Sequence, residues 1–205
     1  MASIGFLDEL AWRGMLHQTT DEKGLPAFLE TPGRVAYCGF DPTNDSLTIG
    51  NFVAMKLLAH WQRCGHTPIV LMGGGTGLIG DPSGKDAERQ LLDREQVSRN
   101  IEGCRSIFER VLDFDESKPN AARIVDNADW LCGLGYIDML RDVGKHFSVN
   151  MMIQKDSVRD RLENREQGIS YTEFSYMILQ AYDFLHLRRE VDCTVQVAGS
   201  DQYGN

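Results

Sequence analysis

The run Tyr37-Cys38-Gly39-Phe40-Asp41-Pro42-Thr43 continues through Thr48-Ile49-Gly50-Asn51 and is the stretch best equipped for chemistry. Its polar members, Asp41, Thr43, Thr48 and Asn51, are small hydrogen-bonders, and Gly39 and Gly50 leave the backbone open to close approach by a ligand. The short apolar stretch Arg34-Val35-Ala36 precedes it and the amphipathic segment Phe52 to Arg63 follows, which predicts strand, turn and helix in that order. In an open parallel sheet ligands bind at such turns, and phosphates favour the free N–H groups of a helix N-terminus. The residues therefore point to a nucleotide site.

A second constellation lies in the helix predicted over Tyr171 to Leu185. Ser170-x-x-Glu173 opens it as a capping box. Phe174, Ile178, Ala181 and Leu185 form an apolar stripe, extended by Met177 and Leu179. Tyr176, Gln180 and Asp183 fall at i, i+4 and i+7 and share a different face. A carboxylate and an amide buried together need polar partners. The face is either the wall of a polar pocket or a solvent-facing stripe, and Tyr37 is either a pocket residue or a core residue of its strand.

Gly75-Thr76-Gly77-Leu78-Ile79-Gly80 fits the dinucleotide-binding fingerprint in letters only. That motif needs a helix starting inside it and an acid about 20 residues later at a strand end. Here Asp81-Pro82-Ser83-Gly84 interrupts any helix, and the later acids lie in a charge-rich helical stretch. Lys85, Arg89 and Arg94 read as a solvated face rather than a phosphate clamp.

The elements that must position these groups alternate. A leading helix is predicted over Gly5 to His17, with strands over Val35 to Gly39, Pro68 to Met72, Ala122 to Val125 and Cys193 to Val197. Further helices are predicted over Phe52 to Arg63, Asp86 to Leu112, Ile137 to His146 and Val149 to Leu162. This alternation predicts an α/β fold with a parallel sheet flanked by helices. Right-handed crossovers then bring the turns at the strand ends to one edge.

With 205 residues, 42% apolar and 25% charged, the composition is that of a globular chain with one sizeable domain. No apolar run approaches a membrane span, and acids stand where a secretory signal needs basic residues, so the expected location is cytoplasmic. The five cysteines are scattered and never paired as Cys-x-x-Cys, and the histidines lack ligand spacing, so neither a disulfide framework nor a structural metal is expected. A net charge of −9 has the wrong sign for a protein that coats nucleic acid, though a local basic patch remains compatible with it.

Four segments carry a family resemblance in order along the chain. Thr48-Ile49-Gly50-Asn51 stands where class I aminoacyl-tRNA synthetases have His-Ile-Gly-His, and Tyr37 to Thr43 resembles the preceding stretch of bacterial-type tyrosyl-tRNA synthetases. Gly77 to Gly84, Val143 to Asn150 and Gly199-Ser200-Asp201-Gln202-Tyr203-Gly204-Asn205 resemble the same family. Some tryptophanyl synthetases carry the Thr-Ile-Gly-Asn run too, so a tryptophanyl-type enzyme is the alternative within the class. A non-catalytic nucleotide- or RNA-binding relative, or a dinucleotide oxidoreductase, are alternatives outside it.

The resemblance implies a Rossmann-like catalytic domain over 34–205 behind a helical lead-in over 1–33. It also implies that the chain stops before a Lys-Met-Ser-Lys-Ser-type loop and the tRNA-binding domains. It implies tyrosine contacts from Tyr37, Asp81, Tyr176, Gln180 and Asp183, with Tyr37 and Asp183 on the phenol and Asp81, Tyr176 and Gln180 on the ammonium group. Contacts to ATP or the adenylate would come from Cys38, Gly39, Asp41, Gly50, Gly199, Asp201 and Gln202, and catalytic contacts to the leaving phosphates from Thr43, Thr48 and Asn51. Without the resemblance, Asp201 and Gln202 read equally as a helix cap and a surface amide, and Asp81 as a turn former. The implied ligands are L-tyrosine, ATP accompanied by Mg2+ as substrate, and tRNA(Tyr), with no tightly bound cofactor. The implied assembly is a homodimer whose contact region is 138–165.

Overall fold

The computed structural model describes residues 5–80, 92–155, 158–159, 162–163 and 168–203, apart from the Asp201 side chain. Among these residues four strands form one parallel sheet: β1 (Val35–Phe40), β2 (Thr67–Met72), β3 (Arg123–Asp126) and β4 (Cys193–Gln196), in the order β3-β2-β1-β4. Val35 pairs with Thr67 and Phe40 with Met72, while Ile69 to Met72 pair with Arg123 to Asp126. All of β2 is buried, as expected of a central parallel strand covered on both faces. The order reverses between β1 and β4, and the crevice beyond their carboxyl ends is where an open α/β sheet holds a ligand.

Side-chain alternation along β1 divides the core. Cys38 and Phe40 pack with Met55 and Leu58 of α3 (Ile49–Arg63) and with Cys104 and Phe108 of α4 (Arg94–Phe108). On the opposite face Tyr37 packs with Ile69, Leu71 and Leu187, the last from the long helix α8 (Tyr171–Val191). The lead-in helix α1 (Phe6–Trp12) closes a third cluster, where Phe6 meets Trp61 edge to face at 4.9 Å. Full burial of such side chains contributes about 1.5–3 kcal/mol each.

Several boundaries differ from the sequence expectation, for local reasons. The leading helix ends at Trp12 rather than His17, because Gly14 turns the chain at φ 66°. A second lead-in helix, α2 (Gly24–Leu29), has no counterpart among the expected elements. Helix α3 starts at Ile49, earlier than Phe52, because Thr48 and Asn51 form a reciprocal capping box that holds Gly50 in the first turn. Helix α4 starts at Arg94, where Asp93 accepts the Gln96 N–H at 2.7 Å; residues 81–91 lie outside the described residues. After α5 (Ala128–Leu131), the expected helix over Ile137 to His146 is broken into α6 (Tyr136–Asp138), a π-turn and a 3-10 turn. Beyond these lies α7 (Val149–Ile153). Helix α8 runs past Leu185 to Val191, because Leu187 buries against the sheet and Asp192 ends the helix in the left-handed region at φ 53°. No helix among the described residues is long and apolar enough to cross a membrane.

Candidate functional site

The turns after β1 and β2 meet at the carboxyl edge of the sheet. Gly73 N–H donates to Phe40 O at 2.9 Å, and Thr76 Oγ1 donates to Asp41 Oδ1 at 3.0 Å. A Cβ at Gly73 would overlap Asp41 Oδ1 and Thr76 Oγ1, and one at Gly74 would overlap the Asp126 carboxylate, so only glycine permits this approach. A Cβ built at Gly39 would meet nothing within 4 Å, leaving β1 open to a ligand there. The loop continues as a 3-10 turn over Thr76–Leu78 instead of the α-helix a dinucleotide fingerprint requires.

Helix α8 supplies the opposite wall. Its capping box is present: Glu173 N–H donates to Ser170 Oγ at 3.2 Å, and Ser170 N–H donates to Glu173 Oε2 at 3.3 Å. Tyr176 OH donates to Asp41 Oδ2 at 3.0 Å, and Gln180 Nε2 donates to Gln202 Oε1 at 3.3 Å, so this face turns inward rather than to solvent. Asp183 is only 2% exposed; its Oδ1 accepts from Trp130 Nε1 at 2.8 Å and its Oδ2 from Asn127 Nδ2 at 2.9 Å. Among the described residues, Tyr37 OH and Gln180 Oε1 are buried with no hydrogen-bond partner.

Burial dominates the electrostatics. It pushes Asp183 up to about 7, the donors Asn127 and Trp130 pull it down, and the charges of Asp41 and Asp126 push it up further. Tyr37 is raised well above the ordinary phenol range by burial first and the Asp183 charge second. Asp126 is raised by burial, against the N–H groups of Ala128 and Gly74 that bond it. The floor thus combines a buried acceptor and a buried phenol, and the wall carries a tyrosine hydroxyl on a carboxylate. Such a surface suits a ligand with a hydroxyl at one end and a cation at the other.

The remaining sequence candidates are placed as follows. Thr43 and Thr48 are exposed on the β1–α3 turn and Gly50 is exposed in the first turn of α3. Asn100 of α4 pins that turn by donating Nδ2 to Pro42 O at 2.8 Å. Thr48 and Asn51 engage each other: Asn51 N–H donates to Thr48 Oγ1 at 3.3 Å, while the Thr48 N–H and hydroxyl donate to Asn51 Oδ1 at 3.0 and 2.8 Å. Cys38 points into the core on the face away from Tyr37, and burial pushes its thiol up to about 12. Gly199 precedes a 3-10 turn over Ser200–Gln202; Asp81 and the Asp201 side chain lie outside the described residues. Among the described residues no three His, Cys, Asp or Glu side chains gather as metal ligands.

Sequence reasoning missed Thr76, Asp126, Asn127 and Trp130. For Asp126, Asn127 and Trp130 the signal was the turn that follows β3, where polar residues stand between a strand and a helix as they do after β1; Thr76 lies instead in the glycine loop after β2.

Residues 31–205 match the family described as tRNA synthetases class I (W and Y). A tyrosine–tRNA ligase of Rhodopirellula baltica is 49% identical over 204 residues, covering 100% of this chain and 46% of that protein. One from Bacillus caldotenax is 54% identical over 202 residues, covering 98% and 47%. The chain therefore spans about half the length of the curated relatives it matches. A C-terminally truncated mitochondrial tyrosyl-tRNA synthetase of Aspergillus nidulans superposes with a TM-score of 0.80 at 27% identity, over 98% of this chain and 58% of that one. With a family match over most of its length and this arrangement of turns around the sheet edge, the chain belongs to the class I tRNA synthetases (W and Y).

Proposed function

We propose that this chain carries the amino-acid-activating centre of a tyrosine–tRNA ligase, which joins L-tyrosine to ATP as tyrosyl-adenylate and then passes the tyrosyl group to tRNA(Tyr). The observation that carries the reading is the buried pair Asp183 and Tyr37 at the pocket floor, opposite the Tyr176–Asp41 hydrogen bond. Asp183 accepts the phenol hydroxyl of the substrate with Tyr37 beside it. Tyr176 and Gln180, with Asp81, take the ammonium group.

Activation needs no nucleophile from the protein. The substrate α-carboxylate ordinarily titrates at about 3.5, so it is ionised near neutrality and attacks the α-phosphorus in line. Catalysis is then positioning, together with stabilisation of the charge that leaves with pyrophosphate. The ATP moiety lies along β1 and β4, against Gly39, Asp41, Gly50, Gly199, Asp201 and Gln202 and the Cys38 backbone. Thr43, Thr48 and Asn51 reach the phosphates from the start of α3, and Mg2+ arrives with ATP. The catalytic domain spans 34–205 behind the 1–33 lead-in and works as a cytoplasmic homodimer through the 138–165 region, where Leu140, Val149 and Met151 are exposed.

The test is exchange of labelled pyrophosphate into ATP by the protein that contains this chain, with tyrosine, phenylalanine or tryptophan supplied separately. Exchange dependent on tyrosine is expected. Exchange supported by tryptophan, or by no amino acid, would reject the reading.

A further inference from the structure

We propose that Thr76 is a positioning residue that ties the wall of the pocket to its floor and so sets the preference for a ligand bearing a phenol hydroxyl; this rests on the reading of the site as a tyrosine pocket. The amide of Asn127 has one possible orientation. Its Oδ1 accepts the Gly75 N–H at 2.8 Å and the Thr76 N–H at 3.4 Å, so Nδ2 must face the other way. There its two hydrogens go to Thr76 Oγ1 at 3.1 Å and Asp183 Oδ2 at 2.9 Å. The Thr76 oxygen thus accepts, and its single hydroxyl hydrogen is committed to Asp41 Oδ1 at 3.0 Å.

The direction of every hydrogen bond from Asn127 to both carboxylates is therefore fixed. One chain of donors serves Asp41, which receives the Tyr176 hydroxyl at the wall, and Asp183 at the floor. Thr76 and Asn127 are 3% and 1% exposed, so neither has bulk water as an alternative partner. Removing the Thr76 hydroxyl leaves one Asn127 hydrogen without an acceptor in a buried place. The amide relieves that by rotating or sliding toward the remaining acceptor, Asp183, and so misplaces the carboxylate.

A local role for Thr76 and a relay role make different predictions. If Thr76 only supports Asp41, its loss weakens every amino acid equally, because all carry the ammonium group. If it also acts through Asn127 on Asp183, the loss falls more heavily on tyrosine than on phenylalanine, which brings no hydroxyl to the floor.

The experiment is calorimetric titration of tyrosine and phenylalanine into the wild-type chain and into Thr76→Val and Thr76→Ser, with thermal unfolding of each as the folding control. Thr76→Val should narrow the preference for tyrosine by about tenfold, and Thr76→Ser, which keeps the hydroxyl, should restore it. Thr76→Ala supplies the same comparison if the valine variant does not fold. A preference unchanged in the hydroxyl-less variant, whatever the loss of affinity, overturns the relay. A folded wild-type chain that binds neither amino acid overturns the tyrosine-pocket reading itself, and the relay with it.

Discussion

The indole N–H of Trp130 donates to Asp183 Oδ1 at 2.8 Å, so the acid on the pocket floor is gripped from α5 as well as carried on α8. The Trp130 ring is in turn stacked on His186 at 4.2 Å, about one helical turn beyond Asp183. With Asn127 on the second oxygen, the carboxylate is held by two N–H donors as an acceptor. That is the form a phenol hydroxyl requires.

Tyr37→Phe should separate stability from function. The Tyr37 hydroxyl is buried with no partner among the described residues, so deleting it removes an unmet polar group. Unfolding in urea should give a variant as stable as wild type or more so, by up to about 1 kcal/mol. Tyrosine affinity should fall in the same variant. A destabilised variant with normal affinity would assign the hydroxyl to the core.

Thr48→Ala should do two things at once. Thr48 caps α3, and losing such a cap costs about 1 kcal/mol of stability. If the residue also meets the leaving phosphates, adenylate formation slows while tyrosine affinity stays near wild type. Thr48→Ser retains the cap and should recover most of both. Single-turnover formation of tyrosyl-adenylate, beside thermal unfolding, checks the pair of effects.

Tyrosine binding should follow the ionisation of Asp183. Its carboxyl is pushed up to about 7, so affinity should decline as pH falls below that value. The same shift acts oppositely on stability. Between about 4, where an unfolded aspartate titrates, and about 7, the folded chain holds a proton that the unfolded chain has released. Folding stability from this group therefore decreases as pH rises through the window. Asp183→Asn should abolish the binding dependence and remove this group's share of the stability dependence in titrations run from pH 5.5 to 8.5.

His60 and His66 should make the protein acid-sensitive. Both are buried, and burial first, then neighbouring cationic residues, lowers their basicity below the usual imidazole value. They favour the neutral form in the fold, so their contribution is intact above about 6.5 and is lost as pH falls below it. Denaturation of the Asp183→Asn variant at pH 7.5 and 5.5 reads this effect without the opposing contribution of the Asp183 carboxylate. Adding His66→Gln should reduce the difference between the two pH values, and an unchanged difference would exclude His66 as a source.

Much of this site was legible where the pattern is local. The apolar runs of β1 and β2 and the i, i+4, i+7 spacing of Tyr176, Gln180 and Asp183 follow from backbone geometry alone. The start of α3 differs from its expectation because Gly50 and Asn51 are poor helix formers and the Thr48–Asn51 capping box overrides them. Asn127 and Trp130 were missed for a different reason. Asn127 bonds Asp183 across 56 residues and Trp130 does so across 53, and no local spacing encodes a contact made by folding β3 beside β2. Thr76 was hidden inside a glycine loop whose letters suggested a different motif, and its partners are likewise distant in sequence.

The most direct test of the tyrosine pocket is a titration of tyrosine and phenylalanine into the wild-type chain and its Asp183→Asn variant, followed by calorimetry. Both Asp183 oxygens already accept N–H donors, so an amide there must turn its NH2 group toward one of them. The expected result is a clear wild-type preference for tyrosine that narrows by roughly tenfold to a hundredfold in the variant. A wild-type chain that binds the two amino acids equally, or a variant that keeps the full preference, would contradict the assignment of Asp183 to the phenol.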